Sequence, residues 1–160
     1  MAAVCPLGHK PPPATVRKEE CMSVPKYRRS ENKLQAITDT VNMSKYAIQM
    51  CENEKIFPKK CRWTLCNKLI NTCIKTVAEI RQANSITVKT KEDAEKRIGL
   101  QKSVLLDFEA IWSIMTIAED HYSIPNDKIA IWSNLMLTAE DKVKAWKDSD
   151  VKRYSDLLKM

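Results

Sequence analysis

The stretch PKKCRWTLCNKLINTCIKTVAEIRQA, residues 58–83, decides the fold class. Within it Trp63, Cys66, Ile70, Cys73, Val77 and Ile80 recur at spacings of 3-4-3-4-3. That period matches about 3.6 residues per turn, so the six side chains share one face of a helix. Pro58 stands at or near the first helical position, where a missing N–H costs nothing. The spacing therefore predicts a helix over 58–83 with one apolar seam that begins at Trp63.

The same period repeats on both sides of this stretch. A first helix is predicted over 32–55, with Ser30 as N-cap and a seam of Leu34, Ile37, Val41, Ser44, Ile48 and Cys51. A third is predicted over 91–122, where Thr90 and Asp93 form a capping box with Asp in place of Glu. Its stripe is wide, running through Ile98, Val104, Leu105, Phe108, Ile111, Trp112, Met115, Ala118 and Tyr122. A fourth starts at Pro125, reaches Trp146 or Lys147, and carries Ile129, Trp132, Met136, Ala139, Val143 and Trp146. Residues 151–160 form a short helical segment with Tyr154, Leu157 and Leu158 on one side.

Pro25, Pro58 and Pro125 precede or open helices, and none interrupts one. Gly99 lies inside the third helix, at a cost of ~1 kcal/mol relative to alanine, and is expected to mark a close approach between helices. Seams at 3-4 spacing suit helices packed at about 20°. Short linkers force neighbouring helices to run antiparallel. The fold class is therefore all-α, an up-down-up-down antiparallel four-helix bundle over residues 22–160. The extent of apolar surface on the third helix, with Trp112, Trp132 and Trp146, further suggests contacts with other copies of the chain.

Residues 1–21 stand apart. They hold Pro6, Pro11, Pro12 and Pro13 without an apolar period, which reads as a disordered extension. A second reading makes them non-native. Arg17-Lys18-Glu19-Glu20 can be encoded by a purine-rich stretch like a bacterial ribosome-binding site, which would place the true start at Met22.

Composition excludes several functions. The only glycines are Gly8 and Gly99, so no glycine-rich phosphate loop is present. The six cysteines form no CxxC pair, and Cys66 and Cys73 fall on a buried seam as small hydrophobes. Cys51 and Cys61 flank the second helix start and can approach each other, but their spacing does not suit zinc. No signal peptide or membrane-spanning run is visible, so a reducing cytoplasm with free thiols is expected. His121 is the one histidine after residue 21, and near a helix C-terminus it serves the dipole better than catalysis. No nucleophile–base pair appears, so the chain is expected to be neither an enzyme nor a cofactor carrier.

Charge points to a partner. The formal net charge is +7, which favours a polyanion. Phe57-Pro58-Lys59-Lys60-Cys61-Arg62-Trp63 places three cations at a helix start, with Lys55 just before them. The positive end of the helix dipole disfavours them there, and a rule broken locally often marks a functional site. An anion at this place would meet the cations and the free N–H groups of the first turn. The opposite end of the bundle collects Lys26, Arg28, Arg29, Lys33, Arg81, Lys89, Lys91, Lys96, Arg97, Lys142, Lys144 and Lys147, with Tyr27 nearby. Such clusters suit phosphate-backbone contacts without base reading.

Val24-Pro25-Lys26-Tyr27-Arg28-Arg29-Ser30-Glu31, Asn53-Glu54-Lys55-Ile56-Phe57-Pro58-Lys59-Lys60-Cys61-Arg62-Trp63, Ala83-Asn84-Ser85-Ile86 and the run from Lys89 to Arg97 resemble a family. It is that of the Avd-like accessory variability determinants of diversity-generating retroelements. The resemblance covers about Met22 to Tyr154 and is most specific at Phe57–Trp63. It implies a homopentameric barrel of helical bundles without catalysis of its own. It also implies binding to the retroelement reverse transcriptase and its template RNA or cDNA, in support of mutagenic cDNA synthesis. By position it implies that Lys59, Lys60 and Arg62 lie in the basic region that meets enzyme or RNA, and Lys55, Arg28 and Arg29 join them as candidate binding residues. The family has an aromatic residue where this chain has Cys61, a departure within the site. The same superfamily includes proteins encoded inside ribosomal-RNA intervening sequences, which would bind structured RNA without a polymerase.

Overall fold

The structure, a computed structural model, describes residues 31–159, with side chains from Gln35 onward. The expectations placed on residues 1–21, on the Ser30 cap, on Leu34 and on Lys26, Tyr27, Arg28, Arg29 and Lys33 lie outside what it describes. Among the described residues every regular element is helical. Helix α1 spans Glu31–Glu52, α2 spans Asn67–Ser85, α3 spans Lys91–His121, α4 spans Asn126–Arg153 and the short α5 spans Ser155–Lys159. No helix among these residues is long and apolar enough to cross a membrane.

Helix α1 packs on α2 and α4, and α3 packs on the same two. All four contribute to one core, which holds Met43, Leu69, Ile80, Val104, Phe108, Ile111, Trp132, Met136 and Val143. Across α3 and α4, Arg97 pairs with Asp150 and Trp112 with Glu140, so residue numbers rise on one helix as they fall on the other. At α1 and α4 the Tyr46 hydroxyl donates to the Lys128 carbonyl at 3.3 Å.

The seams differ from expectation in an informative way. On α1 the deepest row is Ala36, Thr40, Met43, Ala47 and Met50, one residue away from the predicted Ile37, Val41 and Ile48. On α2 it is Leu69, Cys73, Thr76, Ile80 and Ala83, while Ile70 and Val77 are half-buried. Small side chains at the centre let the helices approach closely, and the bulkier row is left at the margin. On α4 the predicted row holds from Trp132 to Trp146, and Ile129 is half-buried.

The α3 cap is as expected. The Thr90 hydroxyl accepts from the Asp93 N–H at 3.2 Å, and the Asp93 carboxylate accepts from the Thr90 N–H at 3.0 Å. Hydrogen bonds from the Lys89 and Thr90 N–H groups hold the Asp93 carboxyl below its usual range. Two expectations are corrected. Gly99 marks no close approach, because a Cβ there would have no neighbour within 4 Å. Helix α4 continues past Lys147 to Arg153, with α5 following directly and Tyr154, Leu157 and Leu158 half-buried.

Candidate nucleic-acid interface

The site is built where the chain turns from α1 into α2. Helix α1 stops at Glu52, and the Asn53 carbonyl accepts from the N–H groups of Ile56 and Phe57 at 3.0 and 2.9 Å. The Asn53 side chain also accepts from the Lys55 N–H at 3.0 Å. This tight turn buries Phe57 completely, with its ring edge-on to Tyr122 at 5.6 Å. Burying a phenylalanine contributes about 1.5–3 kcal/mol, so Phe57 is the anchor of the turn.

The helix that follows does not start as an α-helix. A 3-10 turn spans Lys59–Cys61 and a π-turn spans Arg62–Cys66, closed by the Asn67 N–H on the Arg62 carbonyl. The wider turn admits one extra residue per repeat. Cys61 and Cys66, five residues apart, are therefore both buried. Trp63 lies off the row that this helix buries, which runs through Cys66, Leu69, Cys73, Thr76 and Ile80. Predicted as the first core residue of this helix, Trp63 is 86% exposed. The fixed point of the turn is Phe57 with Cys61, and the indole faces outward.

Trp63 stands at the rim of an open groove of about 520 Å³. Cys51, Cys66 and Ile70 form an apolar floor, while Lys59, Arg62, Glu52 and Asn67 supply polar edges. The Arg62 guanidinium donates to Glu54 at 2.6 Å, and Lys59 lies 3.6 Å from the same carboxylate. These side chains are about half or more exposed, where an ion pair contributes only about 0–1 kcal/mol. Lys55 and Lys60 are exposed and form no ion pair with a described residue. From Glu52 to Trp63 four cations stand against two carboxylates, Glu52 and Glu54. Lys59 and Arg62 thus line a groove beside an exposed ring that the seam pattern did not foresee, while Lys55 and Lys60 stand exposed on the same turn outside its lining.

Beneath the groove lie four buried free thiols, Cys51, Cys61, Cys66 and Cys73. Burial pushes the Cys51 thiol well up, and its hydrogen bond to Cys66 adds to this. Burial pushes Cys73 up to about 12. Cys61 is paired with the Tyr122 hydroxyl, whose own pKa is raised by that bond. Cys51 and Cys73, held neutral in this way, are packing groups rather than nucleophiles. Among the described residues no three His, Cys, Asp or Glu side chains are placed to hold a metal ion. His121 is exposed in the last turn of α3, against the Tyr122 ring.

The opposite end of the molecule carries less free charge than predicted. Arg97, counted there as a surface cation, is buried. Its Nε donates to Asp150 at 2.7 Å, its Nη1 donates to the Ile86 carbonyl at 3.0 Å, and its guanidinium lies over the Trp146 ring. Lys144 is paired with Glu140 and Lys147 with Asp148. Arg81, Lys89, Lys91 and Lys96 remain exposed.

A second groove of about 220 Å³, mostly apolar, lies between α1 and α2. Val41, Ile48, Ile74 and Val77 line it, with Lys45 the one charged residue among those lining it. Comparison with known protein families, with curated proteins and with solved structures returned no match to this chain.

Proposed function

We propose that this chain is a non-catalytic accessory protein that binds a reverse transcriptase and its template RNA, in support of mutagenic cDNA synthesis. Its helices form an up-down-up-down antiparallel bundle, and copies of the bundle assemble as a homopentamer. The observation that carries this is the turn from α1 to α2. Four cations stand on this turn, two of them, Lys59 and Arg62, lining an open groove, on a chain of net charge +7. Such a surface recognises phosphates and does no chemistry on them. The sequence resemblance at Phe57–Trp63 names the polymerase and the template. Multiplied over a pentamer, contacts that are individually modest suffice for stable docking.

A reverse transcriptase gene beside this one is required by the proposal. The direct test replaces Lys59, Lys60 and Arg62 by glutamate and co-purifies the protein with that enzyme and its RNA. The expected outcome is loss of both partners with helicity unchanged by circular dichroism. Binding that persists at moderate salt would overturn the role given to this end.

A further inference from the structure

Trp63 is the most exposed large apolar side chain among the described residues. It stands on the π-turn that leads into α2, off the row that this helix buries through Cys66, Leu69, Cys73 and Thr76. Its flat ring adjoins a groove roomy enough for a small ligand. Two cations, Lys59 and Arg62, line the same groove within a turn of the ring. An exposed aromatic face beside a cationic edge is the arrangement that holds an unpaired nucleotide, base on ring and phosphate on cation. We propose that Trp63 is a stacking platform for an unpaired nucleobase, with the adjoining phosphates on Lys59 and Arg62, so that this groove takes RNA as a single strand. The proposal rests on the RNA-binding reading above and adds to it the form of RNA and the residue that selects it.

The chemistry of the groove fits each part of a nucleotide. Cys51, Cys66 and Ile70 give the base an apolar floor, and Asn67 offers an amide to its edge. The Glu52 carboxylate on the α1 side repels phosphate and leaves the Lys59 and Arg62 side to the backbone. Arg62 is held by Glu54 only through an exposed pair, which a phosphate can replace. A duplex cannot use the ring, because its bases are already stacked on one another. A second copy of the chain is the rival occupant. It suits the uncharged stretch along Val41, Ile48, Ile74 and Val77 better than this end, where one basic chain would press against the cations of another.

The test uses the full chain, a short labelled oligouridylate, and the same strand paired with oligoadenylate. Trp63→Ala should weaken single-strand binding roughly 5- to 100-fold without changing the slope of log affinity against log salt. Trp63→Phe should retain most of the affinity. Replacing Lys59 and Arg62 by alanine should instead lower the magnitude of that slope by about 1.4. Circular dichroism and scattering mass should be unchanged in Trp63→Ala. Equal binding by Trp63→Ala and wild type would overturn the proposal, as would duplex bound as tightly as single strand. A fall in mass for Trp63→Ala would assign the ring to a contact between copies and overturn it as well. If the glutamate triple variant loses RNA but Trp63→Ala does not, stacking fails and RNA binding stands. If wild type binds neither probe, both fail.

Discussion

At the scale of single residues, Trp63 and Arg97 have exchanged the places that their chemistry suggests. The tryptophan is outside and the arginine inside. The arginine was legible. Ala94, Arg97, Gln101, Val104, Phe108, Ile111, Met115 and Ala118 follow a 3-4 rhythm without a break, and Arg97 and Gln101 occupy two of its positions. On α4 the same rhythm runs Trp132, Met136, Ala139, Val143, Trp146 and then Asp150. Polar side chains that fall on seams at one end of adjacent helices should be read as partners. Asp150 accepts from Arg97 and from the Gln101 amide, each at 2.7 Å. Removing one member of a buried pair strands the other charge, at a cost of about 3–5 kcal/mol. Arg97→Ala is therefore expected to lose that much stability in urea unfolding followed by circular dichroism. Arg97→Met combined with Asp150→Leu and Gln101→Leu should recover most of it, since no buried charge or amide is then left without a partner and Arg153, the other cation on Asp150, is exposed to water. A single variant within about 1 kcal/mol of wild type would contradict a buried, interdependent pair.

At the scale of elements, the sequence determined where helices exist better than how they begin and which row they bury. The Thr90 and Asp93 cap was readable because its hydrogen bonds are local. The start of α2 was not. A 3-4 rhythm presumes α-helical rise throughout, and one π-turn shifts everything before it by a residue. The spacing of five between Cys61 and Cys66, with apolar Phe57 before them, was the available clue. The cations of the candidate site were legible as a run, whereas the groove was not, because the predicted seam put Trp63 in the core. On α1 the eye follows Ile37, Val41 and Ile48 because they are large, while tertiary packing chose the row containing Ala36 and Ala47. Gly99 shows the opposite error, a residue expected to mark a close approach between helices that has open space around it. With a helical backbone and open space around it, Gly99→Ala should stabilise the protein by roughly 0.5–1 kcal/mol, through a smaller loss of chain entropy on folding. A higher denaturation midpoint at unchanged slope would show this. A destabilised variant would mean that a partner approaches α3 at this point.

At the scale of the whole molecule, the rows left at the margin are the argument for assembly. Val41 and Ile48 of α1 face Ile74 and Val77 of α2 across an open, almost uncharged groove, and Ile74 is 56% exposed. On α3, Leu106 and Ile117 are exposed as well. They lie three helical turns apart and so share one face. A groove on one pair of helices and a ridge on another are unlike surfaces. Contact between unlike surfaces repeats head to tail and closes into a ring when the rotation allows. A homopentamer is one such ring. A contact confined to that groove would leave the charged end of the crevice, with Lys59 and Arg62, uncovered. The homopentamer proposed above would give, in light scattering of the purified protein, a mass about five times the 18.4 kDa of one chain. Ile74→Asp would place a carboxylate in the apolar groove and should shift that mass toward the single chain with helicity retained. Trp63→Ala should leave the mass unchanged, which separates the two ends of the crevice by experiment. A wild-type protein that is strictly monomeric at all concentrations would remove the ring, and an Ile74→Asp variant with undiminished mass would move its contact to another face.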